Sequence, residues 1–167
     1  LAVFSPDGTK LATCSDDGSA RIWDLNSYSQ LLSLKHNDTV MSVAFSPDGS
    51  KLATASNDTT ARLWDIDTGR QMTIMMHDGP VLSVVFCPDG TRLATNSMHD
   101  GARIWDAETG KILARMVDIG INRIAFSPDG RKLATTSIFN TAKLWDSQNG
   151  LQMTAMNDCC SLLALAF

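Results

Sequence analysis

Val40-Met41-Ser42-Val43-Ala44-Phe45-Ser46-Pro47-Asp48-Gly49-Ser50-Lys51-Leu52-Ala53-Thr54-Ala55-Ser56-Asn57-Asp58-Thr59-Thr60-Ala61-Arg62-Leu63-Trp64-Asp65 decides the fold. Val40 to Phe45 is short, apolar and β-prone. Pro47-Asp48-Gly49 then supplies a preset φ, a side chain that caps the turn and a residue free to take positive φ, so a hairpin is expected. Lys51 to Ser56 reads as a second strand, Asn57-Asp58-Thr59 as a tight turn and Thr60 to Trp64 as a third strand. After the turn Asp65-Ile66-Asp67-Thr68-Gly69, the run Gln71 to Met76 completes a fourth. Apolar residues on both faces of several strands fit a small sheet sandwiched between two others.

The stretch recurs. Phe-Ser-Pro-Asp-Gly begins at Phe4, Phe45 and Phe126, and the variant Phe86-Cys87-Pro88-Asp89-Gly90 fills the gap. Trp-Asp occurs at Trp23, Trp64, Trp105 and Trp145, so both markers step by 41, 41 and 40 residues. Two independent markers in one phase over four copies define a structural repeat.

A four-stranded unit of this length, with His near its start and Trp-Asp near its end, resembles the WD-repeat β-propeller family over essentially the whole chain. The resemblance implies an all-β fold, a β-propeller of four-stranded antiparallel blades. Four blades are expected, at residues 1–36, 37–77, 78–117 and 118–158, with one extra inner strand, 159–167, opening a fifth. The chain begins and stops inside apolar runs, and rings of the family close with seven or eight blades, about 290–330 residues at this period. The expectation is therefore an arc of a larger ring, with open blade edges that could self-associate.

The family's blades also share a buried hydrogen-bonded set of His, Ser or Thr, Asp and Trp, which the resemblance places at His36, Ser56, Asp58 and Trp64. An indole N–H needs an acceptor, an imidazole can pass the bond on, and a carboxylate in the turn fixes the geometry. The first repeat keeps Ser15, Asp17 and Trp23, its His position falling before residue 1. The third keeps His77, Ser97 and Trp105 but has His99 at the Asp position. The fourth keeps Ser137 and Trp145, with Phe139 at the Asp position and Val117 or Asp118 in place of His. Residues repeated at the blade period stay about a blade apart and cannot converge on one substrate, so their expected role is structural, not catalytic.

Composition excludes several other roles. With 14 basic and 18 acidic residues the net charge is −4, and no basic stripe suits a nucleic acid. The longest apolar runs fall well short of the ~20 residues of a membrane helix, and no leader is seen. The cysteines Cys14, Cys87, Cys159 and Cys160 lack a CxxC spacing, which argues against a zinc site and fits a reducing, cytoplasmic setting. Met72, Met75 and Met76 are expected in core and edge packing. The cations Arg21, Arg62, Arg103 and Lys143, two residues before each Trp, are expected in solvent or between blades. No phosphate loop, nucleophile elbow or HExxH motif is present, so no catalytic, metal or cofactor site is expected.

The resemblance implies a non-catalytic scaffold for a protein or peptide partner, carried by the loops before each first strand and between the second and third. The candidate positions are Asp16; Thr39, Met41 and Asn57; Pro80, Leu82 and Met98; and Gly120, Asn122 and Ile138. Met98-His99 and Ile138-Phe139 set apolar groups where other repeats read Asp16-Asp17 and Asn57-Asp58, which makes Met98 and Ile138 candidate anchors. An alternative function is the regulatory or targeting part of a larger enzyme, such as a kinase or a nucleotide-driven switch protein.

Overall fold

The computed structural model describes residues 1–157. Cys159, Cys160 and the expected extra inner strand lie outside the described residues. Among the described residues sixteen strands form four separate sheets. The first holds β1 (Ala2–Phe4), β2 (Lys10–Cys14), β3 (Ser19–Asp24) and β4 (Gln30–Lys35). The second holds β5 (Val40–Phe45), β6 (Lys51–Ser56), β7 (Thr60–Asp65) and β8 (Gln71–Met76). The third holds β9 (Val81–Phe86), β10 (Arg92–Ser97), β11 (Gly101–Asp106) and β12 (Ile112–Met116). The fourth holds β13 (Ile121–Phe126), β14 (Lys132–Ser137), β15 (Thr141–Asp146) and β16 (Gln152–Asn157). Every pairing is antiparallel between consecutive strands, so each sheet is a simple meander.

The hairpin turn is built as its residues require. The Ser46 hydroxyl accepts the Lys51 amide at 2.9 Å, Asp48 Oδ1 accepts the Ser50 amide at 3.0 Å, and Gly49 N–H closes the turn on the Ser46 carbonyl at 2.9 Å. Those contacts hold the Asp48 carboxyl down at about 2, the Ser46 hydroxyl contributing most. In the third repeat the buried Cys87 replaces this serine, and Arg92 crosses to the fourth sheet, binding the Gly130 carbonyl at 3.0 Å and the Ser147 hydroxyl at 3.0 Å.

The core lies between sheets. Ala12, Ala20, Ile22 and Leu34 of the first sheet meet Val43, Leu52 and Trp64 of the second. Ala53, Leu63 and Met75 of the second meet Val84, Leu93 and Trp105 of the third. Ala94, Ile104 and Met116 of the third meet Ile124, Leu133 and Trp145 of the fourth. Trp64, Trp105 and Trp145 thus each pack on the sheet before their own, and the first strands β5, β9 and β13 lie against one another at the inner edge of the stack. Met75 is core, whereas Met72 and Met76 stand exposed on the outer strand β8.

The first strands β5, β9 and β13 each carry a bulge. In the second sheet the register passes from Val40↔Ser56 to Ser42↔Ala55 and skips Met41. Leu82 is skipped in the third and Asn122 in the fourth. A bulge leaves its extra residue outside the ladder and re-aims the side chain, which is how Met41, Leu82 and Asn122 come to point away from the core.

Candidate functional site

The loop rim is fixed from beneath by hydrogen-bonded chains through the second and third sheets. Trp64 Nε1–H donates to Thr54 Oγ1 at 2.9 Å, His36 Nε2 lies 2.6 Å from the same oxygen, and His36 Nδ1 lies 3.0 Å from Asp58 Oδ2. The indole can only donate, so the Thr54 oxygen accepts from it and gives its own hydrogen to His36 Nε2. The imidazole proton then sits on Nδ1 and is donated to Asp58. A neutral ring satisfies this chain, in keeping with burial pushing the His36 pKa below its usual value against the pull of Asp58. Asp58 also accepts from the Asn37 amide at 3.0 Å, the Thr60 amide at 3.0 Å, the Thr60 hydroxyl at 2.6 Å and Arg62 Nη2 at 2.9 Å. Burial would raise its carboxyl, but the Thr60 hydroxyl, the Asn37 amide and His36 together hold it down at about 2.

The bridging hydroxyl is therefore Thr54, not Ser56 as the resemblance placed it. Leu52 stands opposite Trp64, and Thr54, two residues on, shares that face of the sheet, within diagonal reach of the ring. Ser56 sits at the strand end, giving its hydroxyl to the Asp38 carbonyl at 3.0 Å and accepting the Asp58 amide at 3.1 Å. The same shift holds elsewhere: Trp23, Trp105 and Trp145 donate to Thr13, Thr95 and Thr135 at 3.0, 2.7 and 2.9 Å. Ser15 accepts the Asp17 amide, Ser137 bonds Thr141 at 2.7 Å, and the Ser97 hydroxyl is buried without a partner. Thr54→Val is expected to cost roughly 2–3 kcal/mol, because it strands two buried groups, against about 1 kcal/mol for Ser56→Ala; urea unfolding of the two variants checks the order.

In the third repeat the carboxylate is also displaced. His77 Nδ1 lies 3.1 Å from Asp100 Oδ1 and Nε2 lies 2.8 Å from Thr95 Oγ1, while Arg103 pairs with Asp100 and, at 3.0 Å, with Asp78. Asp100 takes the place expected of residue 99, because the left-handed residue of the turn is Gly101 here and Thr59 in the second repeat. His99 is exposed instead. The fourth repeat has no histidine in this place: Val117 is exposed, and Asp118 pairs with Lys143 at 2.8 Å. Arg62 and Arg103 also serve as contacts between sheets, donating to the Lys35 carbonyl at 3.0 Å and the Met76 carbonyl at 2.7 Å.

Above these chains each loop before a first strand is tied to the turn beside it. Asn57 N–H donates to the Thr39 carbonyl at 3.0 Å, Met98 N–H to Pro80 at 3.2 Å and Ile138 N–H to Gly120 at 2.9 Å. Thr39 further reaches the carbonyl of the exposed Asp16, at 3.5 Å, linking the first two sheets. The bulge residues Met41, Leu82 and Asn122 share a concavity of about 550 Å³ along the inner strands with Val85, Arg123 and Ile124. Asn122 is fixed there by the Thr136 hydroxyl at 2.7 Å.

The turns of the third and fourth sheets differ from the rest. Met98 and Ile138 are exposed, and Phe139, 59% exposed, is not folded inward. Ile138 and Phe139 lie over Gly120, where a Cβ would come within 2.7 Å of Ile138 Cγ1 and 3.0 Å of Phe139 Cε2. Val117 and Ile119 in the same loop are exposed as well. Sequence reasoning missed these two, although a loop reading Val117-Asp118-Ile119 where His77-Asp78-Gly79 stands one repeat earlier carried the signal.

The opposite rim has the larger cleft, about 610 Å³, lined by Asp48, Asp89, Asp106 and Glu108. Three of these carboxylates cap their own turns, and among the described residues no group of three or more His, Cys, Asp or Glu could hold a metal ion. Among the described residues no helix is long and apolar enough to cross a membrane.

No curated protein matches the sequence. The crystal structure of the computationally designed Ika8 protein is similar at a TM-score of 0.86 and 22% identity, covering 95% of this chain and 50% of the designed one. The chain thus spans half the length of that protein. The family model described as "WD domain, G-beta repeat" matches residues 1–24, 28–65, 69–106 and 117–146. Repeats of this family generally mediate protein–protein interaction and are typically non-catalytic. With four matches over most of its length and four four-stranded blades, the chain belongs to the WD40 repeat family.

Proposed function

We propose that the loop rim of the third and fourth blades binds a protein or peptide partner through an apolar anchor site. One observation carries the reading: Met98, Ile138 and Phe139 are exposed at turns where the first two repeats have carboxylates and an amide, with Val117 and Ile119 in the adjoining loop. Large apolar groups that stay mostly in water on a loop held by backbone bonds add little to the packing of their own blade, and such groups anchor interfaces. The tethering of Met98 to Pro80 and of Ile138 to Gly120 supports it further, since a preformed surface loses little freedom on binding.

Peptides selected from a random library against the chain, followed by titration of the best binder, test the reading. Met98→Asp with Ile138→Asp is expected to weaken binding at least tenfold, the effect of losing ~1.4 kcal/mol or more, with an unchanged melting temperature. Unchanged affinity in the double variant would refute the site.

A further inference from the structure

A groove of about 600 Å³ lies at the outer edge of the boundary between the second and third blades. Ile74 and Met76 of β8 form one wall, and Lys111, Ile112 and Arg115, at and just ahead of β12, form the other. The buried Arg103 and Trp105 line its floor. The walls are not a product of the repeat. Ile74, Met76 and Ile112 are 45%, 59% and 36% exposed, whereas the boundary between the first and second blades holds Ser33, Lys35 and Gln71 at the same register positions. Apolar groups that replace polar ones and stay largely in water add little to blade packing.

The second wall is charged against its own stability. Arg115 stands directly across the ladder from Arg103, where the other blades set Ser33, Ile74 and Ala155 opposite their cation. Like charges in directly opposed positions repel. Arg103 is matched by Asp78 and Asp100, whereas among the described residues no carboxylate pairs with Arg115 or Lys111.

We propose that this groove docks an extended segment of another protein in which apolar and acidic residues alternate. Successive side chains of an extended chain point to opposite sides. Such a segment therefore lays its apolar residues on Ile74 and Met76 and turns its carboxylates toward Lys111 and Arg115. Charge complementarity selects the acidic partner, because these unmatched cations stand together on a chain of net charge −4. The apolar wall suits polypeptide side chains and offers a phosphate backbone nothing.

Fluorescence anisotropy of a short labelled peptide alternating leucine and aspartate, titrated with the full chain, tests the proposal. Saturable binding is expected, and the same peptide with lysine for aspartate is expected not to bind. Arg115→Ser and Ile74→Ser each install the residue that the first blade carries at this register, so little change in melting is expected. Each is expected to weaken binding roughly tenfold or more, while Arg115→Lys retains it. Met98→Asp with Ile138→Asp is expected to leave this affinity unchanged, which separates the groove from the loop rim. Absence of saturation, equal binding of the lysine peptide, or unchanged affinity in both serine variants overturns the proposal. Loss of binding in the Met98→Asp, Ile138→Asp variant places the peptide on the rim and overturns it too.

Discussion

Asp58→Ala is expected to lower the melting temperature by roughly 10 °C. The carboxylate is almost fully enclosed and accepts five hydrogen bonds, from His36, Asn37, Arg62 and twice from Thr60. Alanine leaves a buried imidazole N–H, two amides and a guanidinium without their acceptor. Breaking a buried charged set from one side costs ~3–5 kcal/mol, and each kcal/mol shifts a domain of this size by roughly 2–4 °C. Differential scanning calorimetry checks the value, and an unchanged midpoint would remove Asp58 from the network. The pH dependence follows from the same geometry. His36 and His77 are depressed below 6.5 by burial, so the unfolded chain binds their protons first, and stability falls as pH drops below about 6.5. Asp58, held at about 2 against 3.8 when free, adds stability above 3.8 that is lost as pH falls toward 2. Thermal midpoints measured from pH 8 down to 3 should therefore be level above 7 and decline below it.

Gly101→Ala is expected to be still more damaging, removing cooperative folding of the third blade. Gly101 has φ +78°, and a Cβ there would lie 2.2 Å from the Met116 carbonyl oxygen and 3.0 Å from the Asp118 amide nitrogen. Both are backbone atoms of the strand and link that join the third blade to the fourth, so neither can rotate away. The left-handed conformation alone costs ~1–2 kcal/mol for an L-residue, and relieving the clash must shift Asp100, which holds His77. Gly8→Ala is the internal control: it shares the left-handed φ, at +70°, but nothing lies within 4 Å of its Cβ. Its expected cost is limited to the ~1–2 kcal/mol of backbone strain. Urea unfolding of the two variants separates the terms, and equal effects would mean that the contact with Met116 is relieved without loss.

Much of this architecture is legible in residues 40–76. The alternation of β-prone runs with Pro-Asp-Gly and Asn-Asp-Thr turns locates β5, β6 and β8 to the residue, and β7 extends only to Asp65. Local chemistry suffices there because turn residues dictate backbone angles directly. Thr54 was not legible as the bridging hydroxyl, since two hydroxyls stand two residues apart and the choice depends on which lies diagonal to Trp64 across the ladder. Asp100 was hidden for a similar reason: Gly101 can take positive φ, which moves the left-handed step one residue along the turn and carries the carboxylate with it. The apolar positions Met98 and Ile138 were visible as departures from a repeat, but their exposure, and that of Val117 and Ile119, depends on what packs above the loops.

Amide hydrogen exchange of the chain with and without a selected peptide is the most direct test of partner binding on the loop rim. Slowed exchange is expected at residues 98–100, 117–120 and 138–140. Protection confined to the opposite rim, at 48–49, 89–90 and 129–130, or to the outer strands β8 and β12, would contradict it.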